Sequence, residues 1–416
     1  MRFVDFVDIN PNIKLQKNLD YPFVDMNSVK PGYRYVTTNK KKKFKSGGAK
    51  FETNDTLFAR ITPCLENGKI AQVIDLEGDI GFGSTEFFVF RSKPEISTSE
   101  YVYYLSLTKI IRDTAEKSMT GASGRQRADI NSIKNLEVYS PDIVIQNKIT
   151  SILRSYDNLI QNNLTRIKTL EKIISKLYRE WFVKFQFPGN KNIKFINSKL
   201  GKVPKNWETL ILGDIAKVYR GKSYSRKELE LNEGKLFINL KCINKGGGFR
   251  RNGIKRYTGN YKSSQIVSEG SIVIAITDMS QERELIGQVA RIGKLGKEIS
   301  IISLDLANIV PLKKVGKNYL YSSLRFSNFS DIIQNYANGV NVLHLSIKNI
   351  ENFKISFPPE RLRKKYEEIT EYYFQKINVL ENSNEILKKT RDLILPKLMS
   401  GNIDISNLNI KLEDSF

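Results

Sequence analysis

One stretch of the chain occurs twice, and that duplication restricts the architecture more than any other feature. DINSIKNLEVYSP (129–141) matches SIKNIENFKISFP (346–358) at an offset of 217 residues. Ile130 meets Ile347, Ile133 meets Ile350, Leu136 meets Phe353, Val138 meets Ile355 and Pro141 meets Pro358. Upstream, Tyr101 and Gly121 match Tyr319 and Gly339 at an offset of 218, and YPFVDM (21–26) resembles KLFINL (235–240). An offset held over so many positions marks a duplicated unit, and a repeat missed at this stage would misassign the whole fold.

After each matched proline the apolar residues recur in steps of three and four. The first series runs from Ile145 to Leu177, the second from Leu362 to Leu398. Such spacing predicts a helix with one narrow apolar stripe. Pro141-Asp142 and Pro358-Pro359-Glu360 suit a first helical turn, where proline loses no hydrogen bond and an acid meets the positive end of the dipole. Each helix would run about 35–40 residues, roughly 55 Å. A helix this long with one stripe needs a partner helix, and the other copy supplies it. The economical reading is an antiparallel or crossed coiled-coil pair. Its predicted interface is Ile149, Ile152, Tyr156, Ile160, Ile167 and Leu170 on the first helix, with Tyr366, Ile369, Tyr373, Ile377, Leu380 and Leu387 on the second. Pro188-Gly189 is expected to stop the first helix and Gly401 to cap the second.

Ahead of each helix lie short strand-like runs: DTLFARIT, KIAQVIDL and TEFFVFR in the first copy, GSIVIAIT, LIGQVARI and ISLDLANIVPL in the second. Short helices are expected near Ser99-Glu100 and Lys317-Asn318. The predicted fold class is α+β: two mixed domains separated by two long antiparallel helices, with a pseudo-two-fold internal repeat. The expected boundaries are 1–140 for the first domain, 141–187 for the central helix, 188–357 for the second domain and 358–416 for the second helix and tail. Residues 188–209 have no counterpart ahead of the first domain. The tail after Gly401 is expected to fill that structural role, giving a nearly circular molecule.

With 40% hydrophobic and 27% charged residues, the chain is globular rather than disordered. No apolar run reaches the length of a membrane span, and MRFVDFVDINPNIK lacks a secretory leader. Only Cys64 and Cys242 are present, too few for a disulfide framework or a zinc cluster, so a reducing cytoplasm is expected. The net charge of +23 favours a polyanionic partner. It is unevenly placed: residues 188–357 carry 28 basic and 13 acidic groups, a net of +15, against +4 for residues 1–140, with 21 and 17.

Enzymatic readings fare poorly. AKVYRGKS (216–223) loosely matches a phosphate-binding loop, but Tyr219 and Arg220 stand where small residues should let backbone amides wrap phosphate. Asp214, Glu233 and Lys235 follow the order of a nuclease metal site, a short pattern common by chance. A nucleophile paired with histidine would need His344, the single histidine, which falls in the apolar run VNVLHLS and is expected to be packed or in a loop. Asn10-Pro11-Asn12-Ile13 faintly echoes a base-flipping methyltransferase motif, without a cofactor loop to accompany it, and reads as a turn. No catalytic residue and no metal site is assigned.

Readout of DNA fits better, because it needs Arg, Lys, Asn and Gln side chains on a frame held by phosphate contacts. In the first domain the candidates are Lys40, Lys41, Lys42, Lys43 and Lys45, then Arg60, Arg125, Gln126 and Arg127. In the second they are Arg220, Lys222, Tyr224 and Arg226, then Lys245, Arg250, Arg251, Lys255 and Arg256 within and around the glycine-bearing run KGGGFRRNGIKR. The first lysine run suits phosphate more than sequence, since lysine acts as a point charge.

Several segments, taken in order, resemble the specificity subunits of Type I restriction-modification enzymes. These are NDTLFARITPCLENGKIAQV (54–73), GSTEFFVFR (83–91), KLYREWFVKFQFPG (176–189), GKVPKNWETLILGDIAKVYRGKSY (201–224), GSIVIAITDMSQERELIGQVARI (270–292) and LILPKLMSGNIDI (393–405). The resemblance implies a non-catalytic, cofactor-free chain in which each target recognition domain reads one half of a bipartite double-stranded DNA site. It implies that the helices set the spacing between half-sites and dock two modification subunits, which bind S-adenosylmethionine and methylate adenine. Restriction subunits using ATP and Mg²⁺ would add translocation and cleavage. A stand-alone DNA-binding regulator is the alternative reading.

Overall fold

The computed structural model describes residues 1–409 apart from 123, 199, 231–232, 280–281 and 313. Residues 410–416 of the tail lie outside the described residues. The chain divides into two compact units, Met1–Asn163 with Ser383–Phe416, and Leu164–Asn382. The division runs through both long helices, so each unit contains part of each.

The first unit holds strands β1 (Val7–Ile9), β2 (Asp20–Val24), β3 (Tyr35–Val36), β4 (Lys41–Lys43), β5 (Ala49–Glu52), β6 (Thr56–Ala59), β7 (Ile70–Val73), β8 (Ile80–Gly83) and β9 (Phe87–Ser92). They form two sheets, in the orders β1-β9-β6-β7-β3 and β4-β2-β8-β5. The central strands TLFA, IAQV and FFVF are buried along their length. They therefore read as continuous apolar runs rather than as alternation. Helix α1 (Ser99–Leu107) follows, capped by the Thr98 hydroxyl on Tyr101 N.

The second unit repeats the plan. Its strands equivalent to those of the first unit are β10 (Ala216–Arg220), β11 (Lys235–Ile238), β12 (Lys255–Tyr257), β13 (Ile266–Val267), β14 (Ile272–Ala275), β15 (Val289–Arg291), β16 (Ser300–Ile302) and β17 (Leu306–Pro311). The order β10-β17-β14-β15 reproduces β1-β9-β6-β7, and β12-β11-β16-β13 reproduces β4-β2-β8-β5. Within the second pair of sheets, β2 and β8 run parallel, as do β11 and β16. Helix α2 (Lys317–Arg325) takes the place of α1.

The duplication extends to individual hydrogen bonds. The Tyr101 hydroxyl donates to the Tyr139 carbonyl at 2.9 Å, and the Tyr319 hydroxyl to the Ser356 carbonyl at 3.2 Å. Gln146 Nε2 donates to the carbonyls of Pro141 and Ile96, each at 2.8 Å. Arg363, 217 residues on, donates to the carbonyls of Pro358, at 3.0 Å, and Lys314. Gln146 and Arg363 thus tie the first turns of a long helix to the strand-rich domain of their unit, through Ile96 and Lys314.

The long helices are α3 (Ile143–Tyr178) and α4 (Glu360–Met399). In the first unit, Ile149 and Leu153 share a core with Leu395, Leu398 and Met399, beneath Phe3, Phe90 and Tyr101. Ile160 is buried, Ile152 packs against that core, and Tyr156 and Leu387 are half-buried. In the second unit, Tyr366 and Ile377 share a core with Ile174 and Tyr178, and Ile167, Leu170, Ile369 and Tyr373 pack against it. Leu380 is half-buried. The contacts run antiparallel in each unit: Asp157 meets Arg391 and Asn163 meets Asn384 in the first, and Tyr178 meets Tyr366 in the second.

Of the two expected helix ends, one changes. α3 ends well before Pro188-Gly189: after Tyr178 the chain makes one wide turn, Arg179–Val183, that buries Trp181 and Phe182. Phe182 packs on Tyr319, Tyr366 and Trp207. At the other helix, Gly401 does adopt the left-handed conformation expected of a cap, with φ of +75°. The tail beyond it enters the core of the first unit through Ile405, and Lys148 Nζ donates to the Ser406 carbonyl at 2.6 Å.

Candidate nucleic-acid interface

In the first unit the lysine run forms β4, at an edge of its sheet. Charged side chains on an edge strand block pairing with another sheet, which is reason enough for lysine there. Lys40 pairs with Asp25 at 3.0 Å, Lys41 with Glu77 at 2.6 Å, and the Lys42 ammonium lies 3.8 Å from the Phe23 ring centroid. Lys43 and Lys45 are exposed. Arg60, Arg125, Gln126 and Arg127 lie elsewhere, where the segment after β6 meets the segment 120–128. Ile61 and Thr120 both bridge to Arg127, and Thr62 N donates to the Gln126 carbonyl at 2.9 Å. Arg125 is exposed, while Arg127 holds Glu86 at 2.7 Å, which raises its guanidinium above the ordinary value.

In the second unit Lys255 and Arg256 lie on β12, the counterpart of β4. The registers coincide: Lys41 faces Pro22 and Arg256 faces Leu236. Arg256 pairs with Glu298 much as Lys41 pairs with Glu77, so the repeat carries an ion pair at this place in both units. Lys255 is exposed. Arg220 ends β10 in solvent, and Arg226 is exposed in the turn Arg226–Glu228. Lys222 is half-buried and bridges to Ser303. The Tyr224 ring packs edge-on against Phe237 at 4.9 Å, so it serves the core.

The glycine-bearing run brings Lys245, Arg250 and Arg251 onto one loop. Gly247 has φ of +85°, and a Cβ there would come within 2.9 Å of the Val289 carbonyl, so only glycine lets the loop lie this close to β15. Lys245 pairs with Glu284, Arg250 donates to the Lys241 carbonyl, and Arg251 lies 3.7 Å from Glu381 on α4.

The enzymatic patterns dissolve into structure. Ala216–Arg220 is a strand paired with Leu306–Pro311, not a loop. Asp214 accepts from Ile211 N at 3.1 Å as a local cap, and Asn10 Oδ1 accepts from Val89 N at 2.9 Å beside its strand. His344 is neither packed nor in a loop: it is exposed on a two-residue strand, Leu343–His344, paired with Thr277–Asp278. Strand pairing fixes its backbone while alternation turns its imidazole outward. Among the described residues no cluster of three or more His, Cys, Asp or Glu side chains could hold a metal ion, and no helix is long and apolar enough to cross a membrane.

Sequence reasoning missed a buried polar network in the first unit. Arg34, 2% exposed, binds Glu100 at 2.7 Å and Gln72 at 2.9 Å. Arg154 on α3 also reaches Glu100, at 3.3 Å. The Tyr104 hydroxyl donates to Asp157 at 2.6 Å, and Arg391 on α4 holds the other oxygen of that carboxylate. Burial alone would lower Arg34, but Tyr104, Tyr35 and Glu100 together hold it above its ordinary value. Charged residues at such sites are indistinguishable in a sequence from a solvated face, since no spacing rule marks a partner 70 or 230 positions away.

The profile described as "Type I restriction modification DNA specificity domain" matches residues 8–172 and 204–390. The Type I restriction enzyme MjaIX specificity subunit of Methanocaldococcus jannaschii is 30% identical over 74% of this chain and 70% of its own length. The MjaVIII specificity subunit of the same organism is 25% identical over 80% of this chain and 76% of its own. Among solved structures, the Type I restriction-modification system S subunit from M. genitalium has the same fold, with a TM-score of 0.52 at 17% identity over 96% of this chain and 95% of that one. A profile that matches both halves of the duplication, on either side of the segment 173–203, places this chain in the family of Type I restriction-modification DNA specificity subunits.

Proposed function

We propose that this chain reads a bipartite double-stranded DNA site for a Type I restriction-modification complex, each strand-rich domain contacting one half-site and the long helices setting the distance between them. The observation that carries this reading is the duplication itself. Two domains with one strand order, each with the same tyrosine hydroxyl bonded to the segment that leads into a long helix, suit two independent readers on a shared ruler. The reading assigns chemistry to partners: two modification subunits with S-adenosylmethionine, and restriction subunits with ATP and Mg²⁺. Docking of the modification subunits is assigned to the helices. In the first unit Ile386 and Leu393, and in the second Tyr372 and Val379, stand exposed on α4. Their seven-residue spacing is that of a helix-packing seam.

The test is to co-express the chain with modification subunits and sequence the methylated sites. A split site is expected. Replacing residues 1–140 by another first domain should change one half of that site only; a change in both halves would refute independent reading.

A further inference from the structure

Arg60 directly follows β6, ahead of the turn at Ile61. Its backbone is clamped on both sides: its N–H donates to the Glu86 carbonyl at 3.0 Å, and its carbonyl accepts from Ala128 N at 2.8 Å. The guanidinium lies over the Phe88 ring, 4.9 Å from the centroid. Its Nε is buried and, among the described residues, has no hydrogen-bond partner. Other arginines of this unit are neutralised: Arg34 by Glu100, Arg91 by Asp55 and Glu52, Arg127 by Glu86. A buried donor left unmatched costs about 1–3 kcal/mol, and Arg112 of the same unit carries one too, but Arg112 lies 3.7 Å from Glu116, whereas no carboxylate pairs with the Arg60 guanidinium among the described residues.

Two adjoining recesses share Arg60 and Phe88. One, of about 340 Å³, is lined also by Thr120 and Arg127; the other, of about 480 Å³, by Asn12 and Lys50. The carboxylate at the first, Asp129, accepts from Asn131 N at 3.0 Å as the cap of a short helix. Duplex DNA offers a guanidinium two acceptor sets, the edge of guanine and the backbone phosphates. Concavity separates them. Base edges lie on the floor of a groove and are reached by side chains that protrude, whereas the phosphate ridge is convex and fits a recess. Arg60 is half-buried, backed by an aromatic ring, and flanked by Lys50 and Arg127.

Resting on the DNA-reading function above, we propose that Arg60 seats a backbone phosphate of the DNA and contributes affinity rather than sequence discrimination. The seat is not repeated at the equivalent place in the second unit. By strand equivalence Ile276 follows β14 as Arg60 follows β6, and Ile276 is fully buried. The near-neutral first domain thus places a cation where the strongly basic second domain buries an isoleucine.

The experiment uses the complex of this chain with its modification subunits. Binding is measured across a salt series, on duplexes carrying the methylated sequence and on a scrambled duplex. Arg60→Ala should weaken both by the same factor, about tenfold, and reduce the salt slope by about one ion. Arg60→Lys should keep the slope. Arg60→Gln, which retains a planar group on Phe88, should behave as Arg60→Ala does, and guards against a folding defect. Loss of discrimination at one base pair with an unchanged slope would show guanine reading and overturn the proposal, as would binding unchanged on both duplexes. A wild-type complex that prefers neither duplex would instead refute the DNA-reading function.

Discussion

The Arg391 guanidinium and the Asp157 carboxylate form an ion pair in which each side chain is only 4% exposed. The pair joins α4 to α3, and Tyr104 extends it to α1. Burial alone would lower Arg391, but Asp157 and Asp392 hold it above its ordinary value. Removing one partner leaves the other charge buried. Arg391→Met or Asp157→Leu alone should therefore destabilise by about 3–5 kcal/mol, while the double replacement should recover most of that loss. Denaturant unfolding of the two single variants and the double variant checks this.

Tyr101 and Tyr319 make the same hydrogen bond in the two units. Tyr101→Phe and Tyr319→Phe should each cost about 1 kcal/mol, with the acceptor carbonyl left unmatched. Because the residues lie in different units, their effects should add. A thermal melt of the double variant that departs strongly from the sum would show coupling.

Leu393, 71% exposed on α4, contributes nothing to the core of its unit. Leu393→Glu should leave the melting temperature within about 1 °C, since exposed substitutions are nearly neutral. If α4 docks the modification subunits, the same change should weaken their binding about tenfold or more. Calorimetry with purified modification subunits measures both effects' independence, and unchanged affinity would remove this face from the docking surface.

Burial pushes the Cys242 thiol up to about 11, from an ordinary 9.0, with Arg250 opposing. The folded protein holds this proton more tightly than the unfolded chain. Its contribution to stability is therefore complete below pH 9.0 and is lost as pH rises toward about 11. Cys242→Ala should flatten that part of the stability profile. At neutral pH a thiol reagent should modify half-buried Cys64 before Cys242, which should react only on unfolding.

Much of the fold was legible because it rests on periodicity. Steps of three and four gave both long helices and the turns at which they begin, and β-rich runs such as FFVF and IVIA gave the central strands. The end of α3 was not legible, because the apolar spacing of Tyr178, Trp181 and Phe182 is that of a continuing helix and nothing in it marks the wide turn at Arg179–Val183. Within the candidate interface the residue types were legible but not their employment. Lys41, Arg127, Arg251 and Arg256 each face a carboxylate from a distant segment, whereas Arg60 does not among the described residues.

By itself the sequence determined the duplication, the two amphipathic helices and the uneven positive charge, since each is a pattern in the order of residues and needs no third dimension. Tertiary structure decided which charges remain available to a ligand. Pairing depends on segments tens to hundreds of residues apart meeting within a few ångströms, as Asp157 and Arg391 do. It also decided that Arg60 lies in a recess over an aromatic ring, because exposure and concavity are properties of a packed surface rather than of a residue.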